Sequence, residues 1–284
     1  MSIAVTGATG NLGRLVIEGL LQSRSAPDIV AIVRDKGKAG DFIEKGVQVR
    51  VAAYEDAAAL ETALAGVDRL LLISSSEVGK RFSQHRNVID AAKSTGVGRI
   101  VYTSAPKAST SALILAPEHK ATEEYLAGSG LPYTIARHNW YTENYKQQVG
   151  TSKQTGTVVA AVGNGRVASA TRADYAAGDV ALLLGEGHEG KIYEFSGDYA
   201  WDYSELARAI GNIIGKPVRY QGVDADTLVG ILKAAGLDEG SAGFVAALDA
   251  NIASGLLSEA SGELSKLIGR PTTPLEAGLR ASLA

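Results

Sequence analysis

Short runs of β-branched and leucine-rich residues alternate with helical stretches through the first half of the chain. That rhythm constrains the fold more than any other feature. Ile3–Thr6, Ile29–Val33, Val47–Val51, Arg69–Ile73, Arg99–Thr103 and Tyr133–Ala136 read as strands. Most are nearly unbroken apolar runs, the pattern of parallel strands covered on both faces. Leu12–Ser23, Ala39–Lys45, Ala57–Ala65, Ser83–Thr95 and Glu118–Ser129 read as the helices between them. Gly46, Gly66, Gly96 and Gly130 follow four of these helices, where a left-handed residue closes the last turn at little cost. Parallel strands need crossover connections, and these take the right-handed route. The expectation is an α/β fold built on a doubly wound parallel sheet.

The second half is less regular. Thr157–Ala161 and Lys191–Phe195 read as strands, Arg172–Leu184 and Tyr203–Ile214 as helices. From Asp224 onward, short helical segments are broken by Gly236, Gly240, Gly255 and Gly269. No repeat, linker or low-complexity tract interrupts the chain. The reading is a main domain over residues 1–150. Residues 151–284 form a mixed segment that returns strands to the sheet and builds a smaller, mainly helical C-terminal lobe folded onto it.

Composition narrows the chemistry. The 284 residues carry a net charge of −3 and no cysteine, which removes disulfides, thiolate nucleophiles and Cys-ligated metals. His85, His119, His138 and His188 show no metal-binding spacing. The mild negative balance gives no basic stripe for nucleic acid. No leader-like segment and no run approaching ~18 apolar residues is present, so a cytoplasmic protein without a membrane span is expected.

The strongest motif is Thr6-Gly7-Ala8-Thr9-Gly10-Asn11-Leu12-Gly13, which follows a strand and opens a helix. Gly7, Gly10 and Gly13 supply a tight turn, close backbone approach to a pyrophosphate, and close packing of helix on strand. The helix N-terminus then offers unpaired N–H groups and a positive dipole end to the phosphates. The sheet is therefore expected to be Rossmann-type, with Gly7–Gly13 binding a dinucleotide. Arg34 stands at the end of the second strand, where a carboxylate would select NAD. A guanidinium there suits a 2′-phosphate, so NADP(H) is favoured over NAD(H). The alternative is an ordinary solvated basic loop with Lys36 and Lys38, and the neighbouring Asp35 counts against the assignment.

Beyond this loop the chain resembles the atypical, extended short-chain dehydrogenase/reductases, and within them the NmrA-like branch. The likeness runs through Leu70–Gly79, Gln84–Ile89, Trp140–Tyr145, Ala168–Tyr175 and Leu264–Thr273. It is strongest toward bacterial NAD(P)H:quinone oxidoreductases of that branch, with triphenylmethane dye reductases as relatives. The resemblance implies that Ile73, Ser74 and Ser75 line the cofactor path. It also implies that Asn139, Trp140, Tyr141 and Glu143 border the nicotinamide. His138 is counted with these cofactor-binding residues, although it stands where those relatives carry asparagine, a departure that puts a contact through this side chain in doubt.

Ordinary members of the superfamily use a Tyr-x-x-x-Lys pair after the fifth strand. Aligned on Glu123, this chain places His119 in the lysine position and Leu115 in the tyrosine position. Leucine transfers no proton. His119 has two readings: an imidazole holding the nicotinamide ribose, or a partly buried helix histidine with a local backbone partner. Ser104 reads either as the superfamily's catalytic serine or as a strand-end turn residue. Phe82, Tyr141, Asn144 and Tyr145 read as a wall for a flat aromatic substrate or as ordinary packing; Tyr141 is also a candidate catalytic residue. His85 and His188 read as surface or structural, and Thr171–Asp174 as a helix start.

Ketone reduction generates an alkoxide that needs a placed acid. Quinone reduction generates a phenolate-like anion, with a pKa of ~10, that water can protonate. The expectation is an NADPH-dependent quinone reductase that needs neither flavin nor metal. A non-catalytic NADP(H) sensor of NmrA type is a second reading, and a reductase of another conjugated acceptor, such as a triphenylmethane dye, a third. Homo-oligomerisation stays open.

Overall fold

The computed structural model describes residues 1–283. Its strands are β1 (Ile3–Val5), β2 (Ile29–Val33), β3 (Gln48–Val51), β4 (Arg69–Leu72), β5 (Arg99–Ser104), β6 (Tyr133–His138), β7 (Thr157–Ala160), β8 (Arg166–Val167), β9 (Ile192–Phe195), β10 (Trp201–Asp202) and β11 (Arg219–Gly222). The helices are α1 (Asn11–Leu21), α2 (Gly40–Glu44), α3 (Ala57–Leu64), α4 (Arg81–Ser94), α5 (Ala116–Gly128), α6 (Lys146–Thr155), α7 (Arg172–Leu184), α8 (Tyr203–Ile214), α9 (Ala225–Ala234), α10 (Glu239–Ala253), α11 (Glu263–Ile268) and α12 (Leu275–Ser282). Among the described residues no helix is long and apolar enough to cross a membrane.

Two compact units share the chain. The first gathers Met1–Ser109, Leu115–His138 and Arg172–Phe195; the second gathers Thr110–Ile114, Asn139–Thr171 and the chain from Ser196 onward. In the first unit seven strands lie in the order β3-β2-β1-β4-β5-β6-β9, with every neighbouring pair parallel. From β1 the chain moves outward to β2 and β3, then returns to lay β4 on the other side of β1. That reversal leaves a crevice at the carboxyl ends of β1 and β4.

Every residue of β1, β2 and β5 is buried; β1 and β2 are unbroken apolar runs, whereas β5 buries Arg99, Thr103 and Ser104 as well. By contrast, β3 pairs only with β2 and is half-exposed along its length, with Val51 50% exposed. It is an edge strand, which its valines do not announce. Helix α1 buries Leu12, Val16, Ile17 and Leu20 at helical spacing on one face. Leu60, Leu64, Leu70, Val88, Ile100 and Leu126 meet in one core cluster. Each such buried side chain contributes roughly 1.5–3 kcal/mol.

Two buried arginines complete this unit. Arg99 donates to the carbonyls of Leu182 at 2.7 Å and Gly185 at 2.9 Å, closing the end of α7, and pairs with Glu189 at 2.8 Å. Arg137 holds Glu123 through Nη2 at 2.6 Å and Nε at 2.9 Å, and reaches Glu194 at 2.8 Å.

The second unit carries two small ladders, β7 parallel to β11 and β8 antiparallel to β10. Its helices are α6 and α8 to α12. The first turn of α8 is closed reciprocally by Asp202 and Glu205, and its inner face buries Tyr203, Leu206 and Ile210. Asp249 of α10 is buried and accepts from the Ala161 N–H at 2.7 Å. Burial pushes its carboxyl up to about 6.

Candidate active site

The glycine loop leaves β1 with Gly7 at φ +57°, in the left-handed region. The Gly10 N–H donates to the Gly7 carbonyl at 2.9 Å, closing the turn. A Cβ on Gly13 would stand 2.5 Å from the Gly7 oxygen and 2.7 Å from the Ala8 Cα, so helix and loop touch backbone to backbone there. Gly10 caps α1 without any side-chain hydrogen bond. The first-turn N–H groups therefore have no acceptor within the helix, and they face outward at its positive end. Gly7, Gly10 and Asn11 are exposed, Thr9 is half-buried, and Ala8, Leu12 and Gly13 are buried. This cradle fits a dinucleotide pyrophosphate.

Tyr54, which sequence reasoning missed, braces the cradle. Its hydroxyl lies 2.6 Å from Thr6 Oγ1 and 2.7 Å from the Ile73 carbonyl. Thr6 Oγ1 also accepts from the Ile73 N–H at 3.0 Å, so the ends of β1 and β4 are tied together. Burial raises the Tyr54 pKa, keeping it a neutral phenol.

Arg34 follows β2 with its side chain 75% exposed, its Nη1 3.5 Å from Glu77 Oε1. Asp35 turns the other way. Its carboxylate accepts from the Gly37 N–H at 2.9 Å and caps the short 3₁₀ turn Lys36–Ala39. The acidic neighbour is thereby occupied locally, and the guanidinium is the group that extends from this corner.

After β4, Ser74 donates its N–H to Thr103 Oγ1 at 2.9 Å. Ser75 is gripped on both sides: its N–H donates to His85 Nε2 at 2.9 Å, and its carbonyl accepts from Arg81 Nε at 2.7 Å. Glu118 accepts from the Gly79 N–H at 3.1 Å and pairs with Arg81 at 3.3 Å. His85 is wholly buried, so the structural reading of it holds and the surface one does not. Neither Arg81 nor Glu118 was singled out in the sequence. The available signal was Arg81, Gln84 and His85 sharing one helical face with Val88 and Ile89.

The candidate proton carriers are largely committed elsewhere. Ser104 donates to Glu123 Oε1 at 2.6 Å and belongs to the buried Arg137–Glu123 network. His119 is 5% exposed, with Nδ1 2.8 Å from the Tyr102 hydroxyl. Its partner is thus a side chain of β5 and not the local backbone group of the second reading. Burial and then the Arg81 charge hold its pKa well below the usual imidazole value, so it is neutral. Leu115 caps α5 and offers no proton.

His138 is buried, stacked on Tyr175 at 4.6 Å and lying against Phe195 at 5.8 Å, with Nε2 3.0 Å from Asp179 Oδ1. The ring is thus packed between aromatic neighbours and hydrogen-bonded to a buried carboxyl group.

In the second unit, Asn139 accepts from the Trp140 N–H at 2.7 Å and donates to the Leu257 carbonyl at 3.2 Å. It shapes the turn after β6. Tyr141 bridges to Ala170, and the Thr142 N–H donates to the Ala170 carbonyl at 2.9 Å. Trp140, Tyr141 and Glu143 are half-buried and Asn144 is exposed. Tyr145 is only 4% exposed, its ring 5.0 Å from Trp201 and 6.0 Å from Tyr203. These surroundings match the packing alternative for Tyr145. Phe82, in the first unit, is half-buried and packs edge-on against Tyr125 at 5.9 Å.

A parallel sheet with its glycine cradle at the β1/β4 reversal defines a Rossmann-type nucleotide-binding protein. A model of the NAD(P)H-binding family matches residues 7–183, and the chain belongs to that family. It is 50% identical over 273 residues to quinone oxidoreductase 2 of Escherichia coli strain K12, covering 96% of each chain. The structure of an NADPH-dependent quinone oxidoreductase from Escherichia coli, complexed with NADPH, superposes with a TM-score of 0.95 at 48% identity, over 99% of this chain and 100% of that one. The triphenylmethane reductase of Citrobacter sp., complexed with NADP(H), gives a TM-score of 0.95 at 38% identity, over 99% and 100%.

Proposed function

We propose that the chain is an NADPH-dependent oxidoreductase that transfers hydride directly to a quinone. One observation carries the reading: Leu115 at the cap of α5 and a neutral, buried His119 within it stand where ordinary short-chain reductases hold their proton-donating pair, while the dinucleotide cradle is intact. The similarity to quinone oxidoreductases supports the same conclusion.

In this reading the first-turn N–H groups of α1 receive the pyrophosphate, and Arg34 receives the 2′-phosphate through charge-assisted hydrogen bonds. Ile73, Ser74 and Ser75 border the path toward the nicotinamide; Asn139, Trp140, Tyr141 and Glu143 border its ring. When bound, the dihydronicotinamide supplies the hydride. The protein's own contribution is to hold a flat acceptor at near-attack distance. The reduced quinone takes its proton from water, since its anion is about as basic as tyrosinate, with a pKa of ~10. Neither flavin nor metal enters the scheme.

The test is NADPH oxidation, followed by absorbance, with chelator-treated colourless protein and a panel of quinones, dyes and simple ketones. Turnover of a small benzoquinone and none of a ketone is expected. Activity recovered only on adding FAD or a metal ion overturns the direct scheme. Tight NADP(H) binding with no turnover of any acceptor transfers the assignment to the sensor reading. The similarity to triphenylmethane reductase favours a second acceptor class, and efficient decolourisation of such a dye with poor quinone turnover would make it the first.

A further inference from the structure

The Ser74–Ser75 segment is held from below by a hydrogen-bonded chain that the proposed mechanism leaves unused. His85 Nε2 accepts the Ser75 N–H at 2.9 Å, and an accepting ring nitrogen carries no proton. The proton of the neutral ring therefore sits on Nδ1, 3.0 Å from Thr122 Oγ1. Thr122 in turn donates its hydroxyl to the Glu118 carbonyl at 2.8 Å, leaving its oxygen able to accept from Nδ1. Donation thus runs in one direction, from the β4 loop through α4 into the α5 backbone.

Arg81 lies one turn before His85 on the same face of α4 and holds the carbonyl of the same residue. A single helical turn grips Ser75 by both its donor and its acceptor. Tyr102, with its ring 5.3 Å away, and Tyr54, at 6.4 Å, meet the imidazole edge-on and exclude water.

We infer that His85 is a positioning residue for dinucleotide binding: through Nε2 it fixes the Ser75 backbone, and with it the cofactor-facing edge at the end of β4. The inference rests on the reading of Ser74 and Ser75 as part of the NADP(H) site. A leucine of similar volume would fill the space yet leave the partly buried Ser75 N–H without its acceptor, which disfavours this loop conformation. Burial and the Arg81 charge bring the His85 pKa down to about 3, so the acceptor persists at neutral pH.

The experiment measures dissociation constants for NADPH and NADH by nicotinamide fluorescence, using wild type, His85→Leu and His85→Gln. The leucine variant should weaken both cofactors by about tenfold, with kcat at saturating NADPH and benzoquinone close to wild type. Glutamine, whose Oε1 accepts a hydrogen bond, should recover most of the loss. Wild-type affinity in His85→Leu overturns the inference, as does a loss that folded His85→Gln does not recover. Wild type that binds neither cofactor overturns the underlying site reading and the inference with it. Where His85→Leu does not fold, ¹⁵N spectra of wild type decide. A ring protonated at Nδ1, with Ser75 and His85 signals that shift on NADPH addition, supports the inference; protonation at Nε2, or no response to NADPH, overturns it.

Discussion

Arg34 and Asp35 stand side by side after β2, yet backbone geometry gives them different tasks. The short carboxylate is captured by the Gly37 N–H, and the longer guanidinium reaches outward. Losing a hydrogen bond to a charged group costs ~1.5–3 kcal/mol. Arg34→Ala should therefore weaken NADPH binding by roughly ten- to a hundredfold and leave NADH nearly unchanged. Calorimetry with both cofactors at fixed salt checks this; equal losses would assign Arg34 to the adenine or to the loop.

Ser104 belongs to the ion-pair network, so Ser104→Ala should lower urea-unfolding stability by about 1.5–3 kcal/mol while turnover holds. A turnover loss without a stability loss would restore its catalytic reading. His85 adds a pH signature. Its folded pKa lies below the unfolded value, so the unfolded chain binds the extra proton as pH falls. The neutral ring's contribution is complete above about pH 6.5 and is lost on acidification toward about pH 3, at up to ~1.4 kcal/mol per unit. Urea midpoints of His85→Leu should consequently show a shallower acid slope than wild type between about pH 6 and about pH 4.

At the scale of elements, two glycines separate close packing from mere flexibility. Gly13 presses α1 against the backbone of its own loop, and an added methyl has nowhere to go. Gly13→Ala should cost about 1–3 kcal/mol in thermal unfolding and impair dinucleotide binding. Gly40 opens α2 in ordinary helical geometry, φ −56°, and a methyl placed there would meet nothing within 4 Å. Gly40→Ala should be neutral or stabilising by up to about 1 kcal/mol. The same melting experiment reads both, and equal behaviour of the two variants would remove the packing argument.

At the scale of the whole molecule, the sheet is not finished by the first 150 residues. Helix α7 packs on α1, where a methyl on Gly19 would approach Val180 Cγ2 at 3.0 Å, and β9 completes the sheet beside β6. Arg99 and Arg69 both donate to carbonyls at the end of α7. A fragment of residues 1–150 leaves those cations without their acceptors and exposes the flank of β6. It should show no cooperative urea transition, whereas a fragment of residues 1–195 should be markedly more structured. A sharp two-state transition in the shorter fragment would refute this.

What the sequence determined by itself is what depends on local pattern. Unbroken apolar runs announced most of the parallel strands, glycine spacing announced the phosphate cradle, and Arg172–Leu184 and Tyr203–Ile214 are helical to the residue, the latter with caps and periodicity in agreement. Tertiary structure decided whatever depends on which side chains meet. Nothing within ten residues of Ser104 discloses that Glu123 claims its hydroxyl, nor that Tyr102 stands against His119. Tyr54 reached Thr6 and Ile73 only after the four strands β3, β2, β1 and β4 were laid side by side. The physical reason is that burial and hydrogen-bond partnership are properties of neighbours in space. A titratable or aromatic residue reads alike in a sequence whether it faces a ligand or a core, until the fold supplies the atoms around it.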